Sequence, residues 1–263
     1  KPDILFIYND IIVACNIFNK LLELKPKQKK FKIITYIDLV YPFEKFLFIN
    51  HMNKFSDKIL DFSDYWKENL TKMRVNSNKI AILEHPFFNK LVPIDQSMAK
   101  SKLGLLESDF VVLNLNRNNY RKCWDITLKA FLLFLKKNHF NKRIKLFCKP
   151  SIIESGGYHI VESLKTYTVM YDVYESYEDI LKNHIIFPFQ NAETRSLSDD
   201  LVNIIYNACD VGINTCCGEG FGLCNMEHAY LGKPQVVSNV GGLSDIFSSD
   251  NSIKIDSCYQ LTC

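Results

Sequence analysis

Gly218-Glu219-Gly220-Phe221-Gly222-Leu223-Cys224-Asn225-Met226-Glu227 follows the strand-like run Val211-Gly212-Ile213-Asn214 and opens a stretch of helical spacing. Glycine lets the backbone take positive φ and come close to a ligand. The uncapped N–H groups where the helix starts form an anion site suited to phosphate. Strand, glycine turn and helix in that order are the start of a βα unit in a parallel, helix-flanked sheet.

The two acids need a different explanation, because a carboxylate beside a phosphate is repelled unless it is aimed at something else. Sugar hydroxyls fit: Glu219 in the loop and Glu227 in the helix can each accept charge-assisted hydrogen bonds, one near the phosphates and one toward a ribose. A nucleotide-sugar carries both kinds of group. On these residues alone, a turn capped by Glu219 with Glu227 in solvent has equal weight. The second cluster, Asn116-Arg117-Asn118-Asn119-Tyr120-Arg121-Lys122, shifts that balance. It directly follows the strand Asp109 to Leu115, in the crevice position where open α/β sheets bind ligands, and its cations can neutralise a diphosphate as it leaves.

Outward from these clusters, short apolar runs alternate with helical periods. Strands are expected at Ile4 to Tyr8, Lys32 to Ile37, Lys58 to Phe62 and Lys79 to Leu83, with helices at Ile11 to Leu24 and Asp64 to Met73, the latter capped by Ser63. After Pro93 and a polar stretch the pattern restarts with a strand into Leu115, a helix Trp124 to Asn138, a strand Arg143 to Cys148, a helix around Tyr158 to Tyr167 and a strand Ile185 to Phe187. Ser198 should cap an acid-rich helix that buries Leu201, Ile204, Ile205 and Ala208. The expected architecture is α/β, with two doubly wound domains, 1–95 and 96–263, the first incomplete with about four strands.

The composition supports an ordinary globular chain: 263 residues, 47% apolar and 23% charged. Thirty-two basic against 29 acidic side chains leave a net charge of +3, which does not favour nucleic acid. The basic run Lys25 to Lys30 reads as a solvated connector. No apolar run approaches the roughly 20 residues of a membrane-spanning helix. The start, Lys1-Pro2-Asp3-Ile4, has no methionine or signal-peptide pattern and reads as the middle of a longer protein. Nine cysteines without a C-x-x-C pair fit reduced thiols, hence a reducing compartment and a cytoplasmic location. Cys216, Cys217, Cys224 and His228 are close in sequence, but adjacent cysteines do not easily share one tetrahedral zinc, so no metal site is expected.

The basic loop and the acid pair, in this order, resemble the donor domain of the retaining, nucleotide-sugar-dependent glycosyltransferases of the GT-B fold, the group often called family 4. Glu219 and Glu227 have that family's acid-pair spacing, and Gly232-Lys233-Pro234-Gln235-Val236-Val237-Ser238-Asn239-Val240-Gly241-Gly242-Leu243 is similar to its continuation. The resemblance implies two Rossmann-like domains, 1–95 facing the acceptor and 96–263 holding the donor. It implies Arg117, Lys122 and Glu219 as catalytic groups, the first two on the diphosphate. Asn116, Arg121, Gly220, Phe221, Gly222 and Leu223 would complete the donor site, and Glu227 would bind the ribose. The family usually has glycine where this chain has Asn116 and Cys123, so Arg121 can share or take the lysine's role. Many members place a histidine after the middle strand of the first domain, where Ile37-Asp38 stands here; either Asp38 substitutes or the role is absent. His51 and His85 read as structural.

The expected activity is therefore transfer of a hexose from GDP-mannose or a UDP-hexose to an acceptor hydroxyl with retention of configuration, in carbohydrate biosynthesis and without a metal or other cofactor. The acceptor, whether glycan, lipid or protein, is left open, as is peripheral contact with a membrane. A non-catalytic nucleotide-sugar or carbohydrate-binding module, and another GT-B enzyme such as a nucleotide-sugar epimerase, are the alternatives. The nucleotide base is placed near the loop after Phe187, with Phe189 stacking and Gln190 hydrogen-bonding.

Overall fold

Among the described residues every strand is parallel to its neighbours; the inner strands are short and apolar enough to be covered on both faces, whereas the edge strands Ile4–Asp10 and Ser252–Ile255 are largely exposed. The structure, a computed structural model, describes residues 3–23, 31–86, 90–148, 157–187 and 197–256. The basic run Lys25 to Lys30 and the proposed base contacts Phe189 and Gln190 lie outside these residues.

The first unit runs β1 (Ile4–Asp10), α1 (Ile11–Glu23), β2 (Lys32–Asp38), α2 (Phe46–Phe55), β3 (Lys58–Asp61), α3 (Asp64–Lys72) and β4 (Ile80–Ile82), with the sheet in the order β1-β2-β3-β4. The second runs α4 (Gln96–Lys102), β5 (Phe110–Asn114), α5 (Trp124–Lys137), β6 (Ile144–Cys148), α6 (Ile160–Met170), α7 (Tyr177–His184) and β7 (Ile185–Ile186). It continues with α8 (Asp199–Ala208), β8 (Val211–Asn214), α9 (Leu223–Tyr230), β9 (Gln235–Ser238), α10 (Leu243–Ile246) and β10 (Ser252–Ile255). Its six strands lie in the order β10-β9-β8-β5-β6-β7.

That order has one reversal. The chain moves outward from β5 through β6 to β7, then returns to place β8 on the other side of β5, so β5 and β8 are neighbours at the switch point. Loops leaving adjacent strands in opposite directions open a crevice at their carboxyl ends. The two loops there are 115–123, after β5, and 215–222, after β8, which carry the two clusters singled out in the sequence.

Burial follows from the alternation of side chains along a strand. On β5, Val112 faces a cluster containing Trp124, Leu128, Leu132 and Leu164, while Val111 and Leu113 face the opposite layer with Phe147, Ile205 and Tyr206. In the first unit Phe18, Ile37, Met52, Phe62 and Trp66 form the core, and Phe221 from the second unit packs into the same cluster.

Local expectations met mixed outcomes. Ser198 caps α8 by accepting from the Leu201 N–H at 3.3 Å. Ser63 does not cap α3; its hydroxyl is buried and makes no hydrogen bond. The buried face of α8 is also rotated from the expected one: Asn203 and Asn207 lie inside while Leu201 and Ile204 are only half-buried. The reason is the connecting segment, whose Val92 and Ile94 N–H groups donate to Asn203 and Asn207 at 3.0 and 2.9 Å. Main-chain groups without a ladder partner need such acceptors when they are covered.

Candidate functional site

Loop 115–123 is built to present Arg121 and Lys122 inward. Asn119 caps a short 3-10 turn over Tyr120–Lys122 by accepting from the Lys122 N–H at 3.2 Å, and Cys123 then takes a left-handed conformation to start α5. Trp124 at the helix start is fully buried, and its indole N–H donates to the Arg117 carbonyl at 2.9 Å. The loop is closed on itself, and Lys122 is buried.

Across the switch point, the loop after β8 is held by the first. The Cys217 N–H donates to the Arg121 carbonyl at 3.0 Å, and the Thr215 hydroxyl donates to the Cys123 carbonyl at 3.0 Å. Glu219 is thereby brought to the two cations: Lys122 Nζ donates directly to Glu219 Oε2, and Arg121 stands 3.6 Å from Oε1 while donating to the Gly218 carbonyl at 2.5 Å. Asn214, at the end of β8, reaches Oε2 at 3.4 Å. Burial alone pushes the Glu219 carboxyl upward, but Lys122 and Arg121, with the hydrogen bonds from Lys122 and Asn214, hold it below the usual carboxylate range. It is an ionised carboxylate beside two cations.

The glycines of this loop are required by what lies against them. Gly222 has φ +88°, where a side chain is strained. A Cβ on Gly220 would stand 2.5 Å from Asp38 Oδ1 and 3.1 Å from the Leu39 carbonyl, so the first unit approaches this backbone closely. Trp66, fully buried, donates its indole N–H to the Gly220 carbonyl at 3.0 Å, and the Tyr65 N–H donates to Asp245 at 2.7 Å. Phe221 meets Phe62 and His85 edge-on, at 6.0 and 5.0 Å between ring centres.

The crevice wall on the first unit is made by the carboxyl ends of β1, β2 and β3, where Asp10, Asp38 and Asp61 stand. Burial is the main cause that lifts Asp38 to about 6; Asp10 and Glu219 add to it, and Arg121 and Lys122 oppose it. Asp61 is buried and also raised, again by burial first. His85 is wedged between Tyr36, whose hydroxyl lies 3.2 Å from its Nδ1, and the stacked ring of Phe62.

Of the site residues expected from sequence, Arg121, Lys122 and Glu219 meet directly. Gly220 and Gly222 shape the loop. Leu223 is exposed at the start of α9. Phe221 points into the first unit's core rather than into the crevice. Asn116 is buried and donates to Asn114 at 2.9 Å, holding the loop's exit from β5. Arg117, on the same loop, is exposed. Glu227 accepts from the Tyr206 hydroxyl at 2.6 Å, below the glycine loop. His51 bonds its own helix, through Nδ1 and the Leu47 carbonyl at 2.9 Å.

The four residues weighed for zinc go separate ways. Cys216 packs with Val237 and Leu243, Cys224 packs against the layer containing Tyr206, and His228 pairs with Gln235 at 3.0 Å. Among the described residues no group of three or more histidine, cysteine or acidic side chains is placed to hold a metal. Residues that sequence reasoning missed are Asn214, Trp66 and Tyr206, which touch the clusters only through tertiary contacts. The position of Asn214 at the strand end before a glycine loop was the one signal available.

No protein-family model matches the chain, and no curated protein matches it. Solved structures do. Anabaena HepE in complex with UDP superposes with TM-score 0.70 at 15% identity, over 97% of this chain and 65% of that one. Sucrose-phosphate synthase from Thermosynechococcus elongatus gives 0.70 at 15%, over 97% and 61%. The catalytic domain of Arabidopsis thaliana starch synthase IV, bound to ADP and acarbose, gives 0.64 at 14%, over 99% and 63%. The chain thus spans less than two thirds of the length of these structures. With two parallel α/β units meeting across a crevice at strand ends, this chain has the GT-B fold that the sequence led us to expect.

Proposed function

We propose that this chain is the donor-binding part, with a portion of the acceptor side, of a glycosyltransferase that moves a hexose from a nucleotide-sugar to an acceptor hydroxyl with retention of configuration. The observation that carries the reading is the convergence of Arg121, Lys122 and Glu219 at the switch point between β5 and β8. Lys122 and Arg121 against Glu219 leave one unit of positive charge at this junction, to which Arg117 on the same loop adds and which Asp38 on the facing wall offsets, and the cations are the groups that meet the diphosphate. Glu219, already ionised, can turn an oxygen toward sugar hydroxyls as the phosphate draws the cations.

In this scheme the bond between the anomeric carbon and the diphosphate oxygen breaks as the acceptor oxygen approaches on the same face. The acceptor proton passes to the departing phosphate, so no protein nucleophile is needed. The chain's task is electrostatic: Arg117, Arg121 and Lys122 stabilise the charge that develops on the leaving group. Asp38 faces the sugar side of the crevice and takes the place left open for the family's histidine. Glu227, oriented by Tyr206, reaches the ribose. A metal is not required where three cations serve the diphosphate. We extend the reading to a cytoplasmic location, on the reading of the nine cysteines as reduced thiols.

HepE has been crystallised with UDP-glucose and starch synthase IV with ADP, so uridine and adenine donors join GDP-mannose in the panel to be tested. Thermal unfolding with each nucleotide-sugar, with and without magnesium, is the experiment. Selective stabilisation of about 2.7 kcal/mol at 100 times the dissociation constant identifies the donor. No stabilisation by any of them at millimolar concentration refutes the donor pocket.

A further inference from the structure

Two thiols sit where the two loops of the crevice touch, and neither has a role in the transfer scheme. Cys123 Sγ and Cys217 Sγ both point to one oxygen, the Arg121 carbonyl, at 3.6 and 3.3 Å. The backbones around them are already joined, through the Cys217 N–H to the same carbonyl at 3.0 Å and the Thr215 hydroxyl to the Cys123 carbonyl at 3.0 Å. Cys123 is half-buried with its sulfur beside the Tyr120 carbonyl at the surface, while Cys217 is 9% exposed and only partly covered at its contact with the Arg121 carbonyl, so a small reagent has to reach the pair from the Cys123 side. The neighbouring Cys216 is turned away, packed with Val237, Val240 and Leu243.

We propose that Cys123 and Cys217 form a reversible modification site, a dithiol that a small disulfide of the glutathione type oxidises to an intrachain disulfide tying the loop after β5 to the loop after β8. The first step is attack of the Cys217 thiolate on the small disulfide, which forms a mixed disulfide and releases one small thiol. Cys123 then gives up its proton and attacks the Cys217 sulfur, closing the Cys123–Cys217 bond and releasing the second small thiol. Two protein thiols are oxidised and one small disulfide is reduced to two thiols.

The order of the steps follows from the local field. The neighbouring Cys123 thiol, the Cys217 backbone N–H and the Arg121 guanidinium hold the Cys217 thiol below the ordinary thiol range, while Cys123 is raised. A thiolate fraction at Cys217 makes it the attacking sulfur. Among the described residues, Cys148 and Cys209 are fully buried, and burial raises both. The closed bond would lie directly beside the Lys122–Glu219 pair, tying the cation loop to the carboxylate loop.

The test is independent of any sugar donor. The full chain is incubated with oxidised glutathione, trapped with iodoacetamide, digested, and its linked peptides are fragmented to assign the sulfurs. The expected result is parallel loss of alkylation at Cys123 and Cys217, a peptide pair joined through those two sulfurs and lighter by two hydrogens, and recovery of both thiols with dithiothreitol. In Cys123→Ser the glutathione adduct should stop at Cys217 and accumulate at least tenfold over wild type. A bond from Cys217 to Cys216, separate glutathione adducts on Cys123 and Cys217 in the wild type, or full alkylation of both thiols after oxidation would each overturn the proposal. The wild-type result decides even if a variant folds poorly.

Discussion

Replacing Glu219 by glutamine should do more harm to folding than its small change in shape suggests, because it leaves two cations facing each other without the charge between them. The Lys122 and Glu219 side chains are only 9% and 10% exposed, and Arg121 is 21% exposed. Removing one partner of a buried pair costs about 3–5 kcal/mol, since the survivor stays desolvated. Arg121 keeps some water, so we place Glu219→Gln at about 3 kcal/mol, the lower end of that range. Lys122→Met should cost less, about 2 kcal/mol, because Glu219 retains Arg121 at 3.6 Å and Asn214 at 3.4 Å. The double variant then loses about 3 kcal/mol rather than the sum of about 5, a coupling of about 2 kcal/mol. Urea unfolding followed by tryptophan fluorescence measures this well, since the chain has two tryptophans, Trp66 in the first unit and Trp124 in the second, both fully buried. Additive losses, with coupling under about 0.5 kcal/mol, would refute the claim that Lys122 and Glu219 form one buried unit.

Asp38→Asn should stabilise the protein by about 1 kcal/mol at pH 7.5, a figure reduced from the full shift to allow for partial solvent access. The sign follows from the proton: with a native value of about 6 against an unfolded value near 4, the folded state holds its proton more tightly. Stability that depends on this group is therefore lost as pH rises from about 4 to about 6, and the advantage of asparagine disappears below about pH 4. Melting curves of both proteins from pH 3.5 to 8 check it, and a constant difference across that range would contradict it. Trp66→Phe removes the 3.0 Å bond to the Gly220 carbonyl and should cost about 1 kcal/mol, read by chemical denaturation. Phe221→Ala should cost about 3 kcal/mol, because the ring fills the first unit's core, and near-zero loss would show that the units are not packed through it. Tyr206→Phe frees Glu227 from its 2.6 Å partner and should weaken nucleotide binding about tenfold, or about 1.4 kcal/mol, in a titration.

The inner strands are legible because a strand covered on both faces leaves no polar position to blur the pattern, whereas the exposed edge strand β10, Ser252–Ile255, has no such run and is not among the expected strands. Helices with weaker stripes are not legible either. In α2, Phe46 and Leu47 are exposed, and in α7 only Ile180 and His184 are buried, so neither has the continuous apolar face that periodicity detects. Asn203 and Asn207 on α8 show the same limit from the other side. Their burial is dictated by main-chain N–H groups more than 110 positions earlier, which no local pattern encodes. At the site, charge and glycine spacing exposed both clusters and left their partners hidden. The meeting of Lys122 with Glu219 across 97 positions, and of Trp66 with Gly220 across 154, exists only once the switch point is formed. The sequence reading lets Arg121 share or take the lysine's role, and the geometry has both cations on the same carboxylate, while Arg117, on the same loop, is exposed.

The most direct test of the central claim is titration calorimetry of UDP, GDP and ADP into the wild type and Lys122→Met, below the melting temperature of both. The account predicts saturable binding of one nucleoside diphosphate to the wild type, weakened at least tenfold, about 1.4 kcal/mol, in the variant. Equal affinity in the two proteins would remove Lys122 from the site, and no binding of any of the three at millimolar concentration would contradict a nucleotide crevice between β5 and β8.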